Sequence, residues 1–474
     1  MYPVLSLVLP LAVAAQTTQV DLSWHAPKKT WVNDLSQVVD GKGTNGFYFG
    51  GSELPKGVQY GTYNWCNMPH VRREEYPKVD KDYELEYVEV IHRHHKRTPY
   101  ASNTFPKETY SWECTDQGLF YYGKSLNPKG KDSASTYWSV FTSPINPFQP
   151  SGFNGTCQFP QITRGGLDDS FQHGADLYAV YHKQLKLLPK DYDSKKVSFR
   201  VTNNVITSQV AGSLIAGMFE PDSKSDTPLK IQPSGIDSLE PQYSCPAASR
   251  LSSSYGVGSS AQNWTEHLTR AKPLFDALDA VSNIPSSNND WHKSFDHYYD
   301  NLSARQCHAK PLPCSAADAR NCVSQEQADA VYRIGQYEYS FIYRDSPQSL
   351  QMAVGSYGVF LAELAQNMRD MIAGKSNVIY RHNVAHDGST SRLLSILQVD
   401  QMVWVGMGAE IVFEVYSKKK SDKKYLRILW GGQVLTSSNP SLGKVDLVDL
   451  DVFLAYVDGL VGKYAGKVVD YCKS

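Results

Sequence analysis

The stretch Ile91-His92-Arg93-His94-His95-Lys96-Arg97-Thr98-Pro99-Tyr100 constrains this 474-residue chain more than any other. Positions 92–97 hold three histidines, two arginines and a lysine. The residues just before, Tyr87-Val88-Glu89-Val90-Ile91, are β-branched, aromatic and free of breakers, which predicts a strand. A strand that runs straight into a dense cationic loop is how an α/β protein presents chemistry at the carboxyl edge of its sheet. Unpaired buried cations are costly. Charge this concentrated therefore calls for an anion, and the histidines point to chemistry done on it.

The chain is long enough for one large domain with insertions, or for two domains. Its 47 Lys+Arg against 48 Asp+Glu leave a formal net charge of −1. No global basic field favours nucleic acid, so the anion is expected to be held in a local pocket. Residues 1–15 read as a secretory signal, with an apolar core from Val4 to Ala15 that ends in small residues. It lacks a positive n-region. The run is too short to span a bilayer, and no later run reaches that length. The expectation is a soluble, secreted protein with no membrane partner. Eight cysteines, even in number, dispersed and without a C-x-x-C pair, favour disulfides over metal ligation. Their pairing and the oligomeric state are left open. Sequons at Asn154, Asn263 and Asn301 also fit export and glycosylation.

Residues 16–86 read as an irregular lead-in held by Cys66. Residues 87–221 and 345–474 read as an α/β unit, and 222–344, rich in Ser, Pro and Asn, as a cap or insertion. Within this frame, helices are predicted near 168–188, 206–219 and 450–469, with two more between 325 and 373. Strands are predicted at Lys196–Val201 and at Asn377–Tyr380. Glu410–Tyr416 and Tyr425–Trp430 form a hairpin whose tip carries five lysines, read as a solvated end. The second strand-to-loop junction of interest follows Tyr380 and contains His386-Asp387.

Two such junctions can converge at one sheet edge. Arginines would clamp a phosphate by bidentate hydrogen bonds. One imidazole would attack phosphorus, a carboxylic acid would protonate the leaving oxygen, and fixed positive charge would stabilise the transition state without a metal or other cofactor. The rival is a metal site built from His92-x-His94-His95 and His382-x-x-x-His386. Against it, Lys96-Arg97 stands where a metal-hydrolase loop needs an acid, guanidinium groups repel a divalent cation, and His382 follows a strand rather than lying on a helix. Strand alternation turns His92 to the face opposite Arg93.

Arg93-His94-His95-Lys96-Arg97-Thr98-Pro99 resembles the Arg-His-Gly-x-Arg-x-Pro signature of the histidine acid phosphatases, branch 2 of the histidine phosphatase superfamily. His386-Asp387 resembles that family's second motif. Ile162-Thr163, Gly166, Gly174, Arg200 and the 409–416 stretch support the match, which runs from about Tyr87 to the C-terminus with the cap region poorly matched, and which resembles a fungal-type secreted member. The resemblance implies a large α/β sandwich domain, phosphoglycerate-mutase-like, with a smaller and mainly helical cap. It implies hydrolysis of phosphate monoesters through a phosphohistidine on His94, with Arg93, Arg97 and His386 on the phosphate and Asp387 as proton donor. Two departures stand out. His95 replaces the glycine after the nucleophile, and Ile206 stands where the family places a third phosphate-binding arginine. His95, Lys96 and Arg164 are the candidates to compensate. An alternative is a catalytically weak or inactive extracellular binding or signalling protein on the same fold.

Overall fold

The computed structural model describes residues 19–44, 65–108, 110–114, 155–220 and 227–474, with isolated positions between 129 and 148. The apolar stretch 1–15 and the sequon asparagine 154 lie outside the described residues.

Eight strands form one mixed sheet: β1 Tyr83–Arg93, β2 Val197–Val201, β3 Leu229–Lys230, β4 Tyr380–Ala385, β5 Glu410–Lys418, β6 Ser421–Trp430, β7 Gln433–Val434 and β8 Val448–Asp449. Their order is β3-β2-β4-β1-β5-β6-β7, with β8 beside β6. β3, β2, β4 and β1 run parallel, and β5 and β6 form an antiparallel hairpin. From Tyr87 to Arg93 every residue of β1 is buried. Such a run without alternation marks a central strand covered on both faces.

One face is covered by the helices Arg164–Tyr178 and Val205–Phe219. They approach closely because two glycines leave out side chains. A Cβ on Gly174 would lie 2.1 Å from the Leu214 carbonyl oxygen, and one on Gly217 would lie 2.0 Å from that of Phe171. The other face is covered by the long helix Ser349–Ile372 together with Asp387–Ile396 and Leu450–Val461. A second apolar body gathers Trp264, Phe275, Phe295, Leu302, Tyr332 and Phe341 from the helices between 262 and 345. Phe105 and Trp404 join it from the sheet side, which brings this helical body over the carboxyl ends of β1 and β4.

The structure differs from the sequence expectation at several points. The strand expected at Asn377–Tyr380 begins only at Tyr380 and runs to Ala385. Its polar residues Arg381, His382 and Asn383 conceal a strand that is internal to the sheet. Residues 229–255 belong with the sheet layer, since β3 pairs with β2 and the helix Pro246–Tyr255 packs on Ser349–Ile372. The C-terminal helix breaks at Gly462, whose φ of 74° only glycine adopts readily. Asn301 is buried inside the helix Asp296–Cys307, donating to the Asn103 carbonyl and accepting from Arg305, so its sequon is closed to glycosylation in the folded state. Asn263 is exposed.

All eight cysteines are paired, as Cys66–Cys307, Cys114–Cys157, Cys245–Cys472 and Cys314–Cys322. No helix among the described residues is long and apolar enough to cross a membrane.

Candidate active site

Parallel register sets the site. Arg93 pairs with Ala385 and Val201 with Val384, so β1, β4 and β2 end side by side. The next residues, His94, His386 and Thr202, therefore meet at one sheet edge. His386 Nε2 lies 2.9 Å from Thr202 Oγ1, and the His94 and His386 rings meet edge to face at 5.4 Å. Here a cavity of about 300 Å³ is lined by Arg93, His94, Arg97, His386 and Asp387, among others.

Each of these side chains is held. His94 Nδ1 lies 3.0 Å from the His95 carbonyl oxygen. A carbonyl only accepts, so Nδ1 carries the proton and Nε2 keeps its lone pair. Burial, then the charges of Arg97 and Arg93, push the His94 pKa well below the ordinary histidine value, which keeps the ring neutral. Arg97 is 3.0 Å from Asp300 Oδ1 and stacks over the Tyr100 ring at 4.2 Å. Arg93 donates to the Val405 carbonyl and forms an ion pair with Asp387 Oδ2, its Nη2 3.1 Å away. Yet Nε of both arginines is buried without a hydrogen-bond partner in the protein. Unpaired buried donors on charged groups are a demand for an anion.

Asp387 is the first residue of the helix Asp387–Ile396, where the helix N-terminus favours a carboxylate. Oδ1 accepts from the Gly388 amide at 2.7 Å, and Oδ2 accepts from Trp404 Nε1 at 3.1 Å and Tyr339 OH at 3.2 Å. Burial raises its pKa, but the Arg93 and Arg97 charges and these hydrogen bonds outweigh burial and hold it below the ordinary aspartate value. His386 is lowered to about 4, chiefly by burial and then by the two arginines against the opposing pull of Asp387. It is neutral above about pH 4.

The five residues expected at the site, Arg93, His94, Arg97, His386 and Asp387, thus come together. The three proposed auxiliaries do not line the cavity. Lys96 turns to Asp169, with Nζ 2.9 Å from Oδ2, and its stem lies along Gly165. Arg164 pairs with Asp168 on the exposed start of its helix. The His95 ring turns beneath the loop and lies on Gly408, where a Cβ would sit 2.4 Å from the ring. Gly408, with no side chain, makes room for the His95 ring. Ile206 is fully buried in an aliphatic cluster with Ile162, Val201 and Val384. Arg200 faces Asp237 and Glu363 rather than the cavity.

Sequence reasoning missed Arg392, Glu240, Asp296, Asp300, Tyr339 and Trp404, all of which line the cavity. Arg392 supplies a third guanidinium, with Nη1 donating to the Gly388 carbonyl at 2.8 Å and Nε to Ser356 Oγ at 3.0 Å. Trp404 stacks between Tyr299 at 3.7 Å and Tyr339 at 4.2 Å, forming a flat aromatic wall. Glu240 Oε1 is 3.5 Å from His386 Nε2. Its pKa is raised by burial and then by Asp237. None of these six sits in a local pattern that marks it.

The fold and this edge-of-sheet His-Arg-Asp constellation define a histidine-phosphatase-type enzyme. The chain belongs to the histidine phosphatase superfamily, branch 2, whose family model matches residues 84–430. It is an enzyme of the histidine acid phosphatase class. Over 386 residues it is 23% identical to Counting factor 60 of Dictyostelium discoideum, covering 78% of this chain and 85% of that one. Over 389 residues it is 22% identical to human 2-phosphoxylose phosphatase 1, covering 78% and 76%. In fold it is similar to the phytase of Klebsiella sp ASR1, with a TM-score of 0.51, 16% identity, and 81% of this chain and 97% of the other covered.

Proposed function

We propose that the protein is a secreted phosphomonoesterase that works through a phosphohistidine on His94, with no metal at the phosphate. The observation that carries this reading is the orientation of His94. Its Nδ1 proton is committed to the His95 carbonyl, which leaves the Nε2 lone pair for a cavity that also holds two arginines with unpartnered Nε donors and Asp387.

In the proposed reaction Arg93, Arg97 and His386 hold the phosphoryl oxygens, and Arg392 adds a third guanidinium at the wall. A phosphate monoester loses its second proton near pH 6, so at acid pH it arrives carrying one. Its charge satisfies the arginines that otherwise keep Asp387 ionised, and Asp387 takes up that proton. The Nε2 lone pair of His94 attacks phosphorus, the ester P–O bond breaks, and Asp387 protonates the departing oxygen to give the alcohol. Water then attacks the phosphohistidine, gives its proton to the Asp387 carboxylate, and the P–N bond breaks to release inorganic phosphate. The guanidinium groups neutralise the charge that develops.

The walls select for a substrate with a single phosphate. The cavity sets Glu240, Asp296, Asp300 and Asp387 against Arg93, Arg97 and Arg392, and no lysine lines it among the described residues. With Asp300 paired to Arg97 and Asp387 carrying the catalytic proton, a polyphosphorylated ring would still face the Glu240 and Asp296 carboxyl groups. The Trp404–Tyr339 wall suits an apolar or sugar leaving group. The helices between 262 and 345 would serve as the cap. Four disulfides with no free cysteine, together with the apolar stretch 1–15, support an oxidising, secreted location. The alternative of an inactive binding protein is not favoured, since Arg93, His94, Arg97, His386 and Asp387 line one cavity, as the catalytic reading requires.

The test is hydrolysis of an aryl phosphate by the full chain between pH 4 and 8, with His94→Ala alongside. Activity should fall as pH rises through about 6, where the monoanionic substrate disappears. It should be unchanged when EDTA or Mg²⁺ is added at the time of assay. His94→Ala should lose on the order of 10³-fold in kcat, and acid-labile phosphate should be trapped only on the wild-type protein. Equal rates for wild type and His94→Ala would overturn the reading.

A further inference from the structure

Beneath the catalytic loop, on the side away from the cavity, lies a buried knot of histidines that the phosphatase reaction does not use. His92 comes from the end of β1, His95 from the loop and His173 from the helix Arg164–Tyr178. All three are fully buried. One ring nitrogen from each lies within 4.8 Å of those of the other two. His70 stacks on His173 at 4.3 Å, and His382 meets His92 edge to face at 4.8 Å.

As bare protein this knot is poorly satisfied. Both ring nitrogens of His92, Nδ1 of His95, Nδ1 of His70 and Nε2 of His382 are buried without a hydrogen-bond partner. Buried polar groups are nearly always paired, and each orphan costs on the order of 1–3 kcal/mol. A knot with so many uncommitted imidazole nitrogens is therefore short of a partner rather than merely polar.

The geometry points to the nature of that partner. His95 Nε2 and His173 Nδ1 are 3.1 Å apart, a hydrogen bond that a bound ion would replace. Two nitrogens bound tetrahedrally to a zinc ion at 2.0–2.1 Å would be about 3.4 Å apart. On its far side His173 Nε2 lies 2.8 Å from Glu410 Oε2, and the other oxygen of Glu410 accepts the Val71 amide. A ligating histidine that gives its second N–H to an anchored carboxylate is the usual outer-shell arrangement at zinc. His92 would close the set by a small rotation, since neither of its nitrogens is held.

We infer that His92, His95 and His173 form a binding site for a first-row divalent cation of the zinc type, with Glu410 as its outer-shell carboxylate. The ion would be structural. None of the three imidazoles lines the phosphate cavity. The ion would pin β1, the loop and the helix Arg164–Tyr178 together, and with them the His95 carbonyl that orients His94. This places a metal under the nucleophile without routing phosphoryl transfer through it. The inference stands on the histidine geometry alone and does not depend on the identity of the substrate.

The test uses the full-length protein, purified without added chelator and analysed for metal by mass spectrometry, then stripped and titrated with Zn²⁺ and Co²⁺. We expect one equivalent per chain, retained or taken up. Co²⁺ should show the visible d–d absorption of a tetrahedral nitrogen-ligated ion, and saturation with Zn²⁺ should raise Tm by several degrees. His92→Phe and His173→Gln should each lose the equivalent and the Tm response, while His25→Gln, outside the knot, should keep both. The Co²⁺ spectrum of the wild type decides the matter even where a variant fails to fold. Absence of uptake and of any Tm response in the wild type would overturn the inference, as would full uptake by both variants. Phosphatase activity is measured in parallel, so failure of the catalytic reading and failure of this one remain separate results.

Discussion

At the scale of single residues, the question is what replaces the arginine that Ile206 does not provide. Ile206 is fully buried among aliphatic side chains, so restoring a cation there would bury an unpaired charge. Arg392, four positions after Gly388 on the same helix, already reaches the cavity wall. Ile206→Arg should therefore lower Tm, at a cost of about 3 kcal/mol or more, without raising kcat. Arg392→Met should raise KM for an aryl phosphate by roughly 10-fold, the loss of about one charge-assisted contact. Steady-state kinetics and thermal melts on the two variants check this, and a rate gain in Ile206→Arg would refute it. Sequence pattern could find Arg93, His94 and Arg97 because they are neighbours on one loop. It could not find Arg392, Trp404 or Tyr339, which reach the cavity from separate segments and have ordinary surroundings in the chain.

At the scale of elements, the site depends on how tightly the loop of β1 is clamped against the helix Arg164–Tyr178. The Thr163 amide and the Lys96 carbonyl are hydrogen-bonded at 3.3 Å, and a Cβ on Gly166 would meet that same carbonyl at 2.0 Å. The partner helix Val205–Phe219 approaches through Gly174 and Gly217. Gly174→Ala should force the two helices apart and destabilise the protein by about 1–3 kcal/mol, read as a lower denaturation midpoint at unchanged m-value. A midpoint equal to wild type would show that the helices have slack. Strand β4 illustrates why element boundaries escape sequence reasoning. Arg381-His382-Asn383 has the composition of a loop, but neighbouring residues hold part of it, with Asn383 Nδ2 3.0 Å from the Val90 carbonyl and His382 Nδ1 2.9 Å from Tyr380 OH.

At the scale of the whole molecule, stability should tilt towards acid pH at one identifiable point. Asp345 ends the helical turn Phe341–Asp345, and burial raises its pKa to about 6 from 3.8. The folded-state value lies above the unfolded one. Its contribution is therefore fully present below pH 3.8 and is lost as pH rises through about 6. Asp345→Asn should remove that loss. Relative to wild type it should gain up to about 3 kcal/mol at pH 7.5 and little at pH 4, and melts at the two pH values check the difference. Taken alone, the sequence determined the parts whose information is local. These are the strand-to-loop junctions, the Arg-His-His-Lys-Arg and His-Asp motifs, the helical periods, and an even set of cysteines. Their chemistry follows from residue type, and residue type is visible in a string. Only the tertiary structure decided what depends on parallel register and side-chain direction. It put His94 beside His386, turned His95 and Lys96 away from the phosphate cavity, brought in Arg392, closed the Asn301 sequon, and gathered five histidines from distant segments beneath the loop. The physical reason is that a sheet edge sums contributions from strands hundreds of residues apart, and nothing in one strand records what lies next to it.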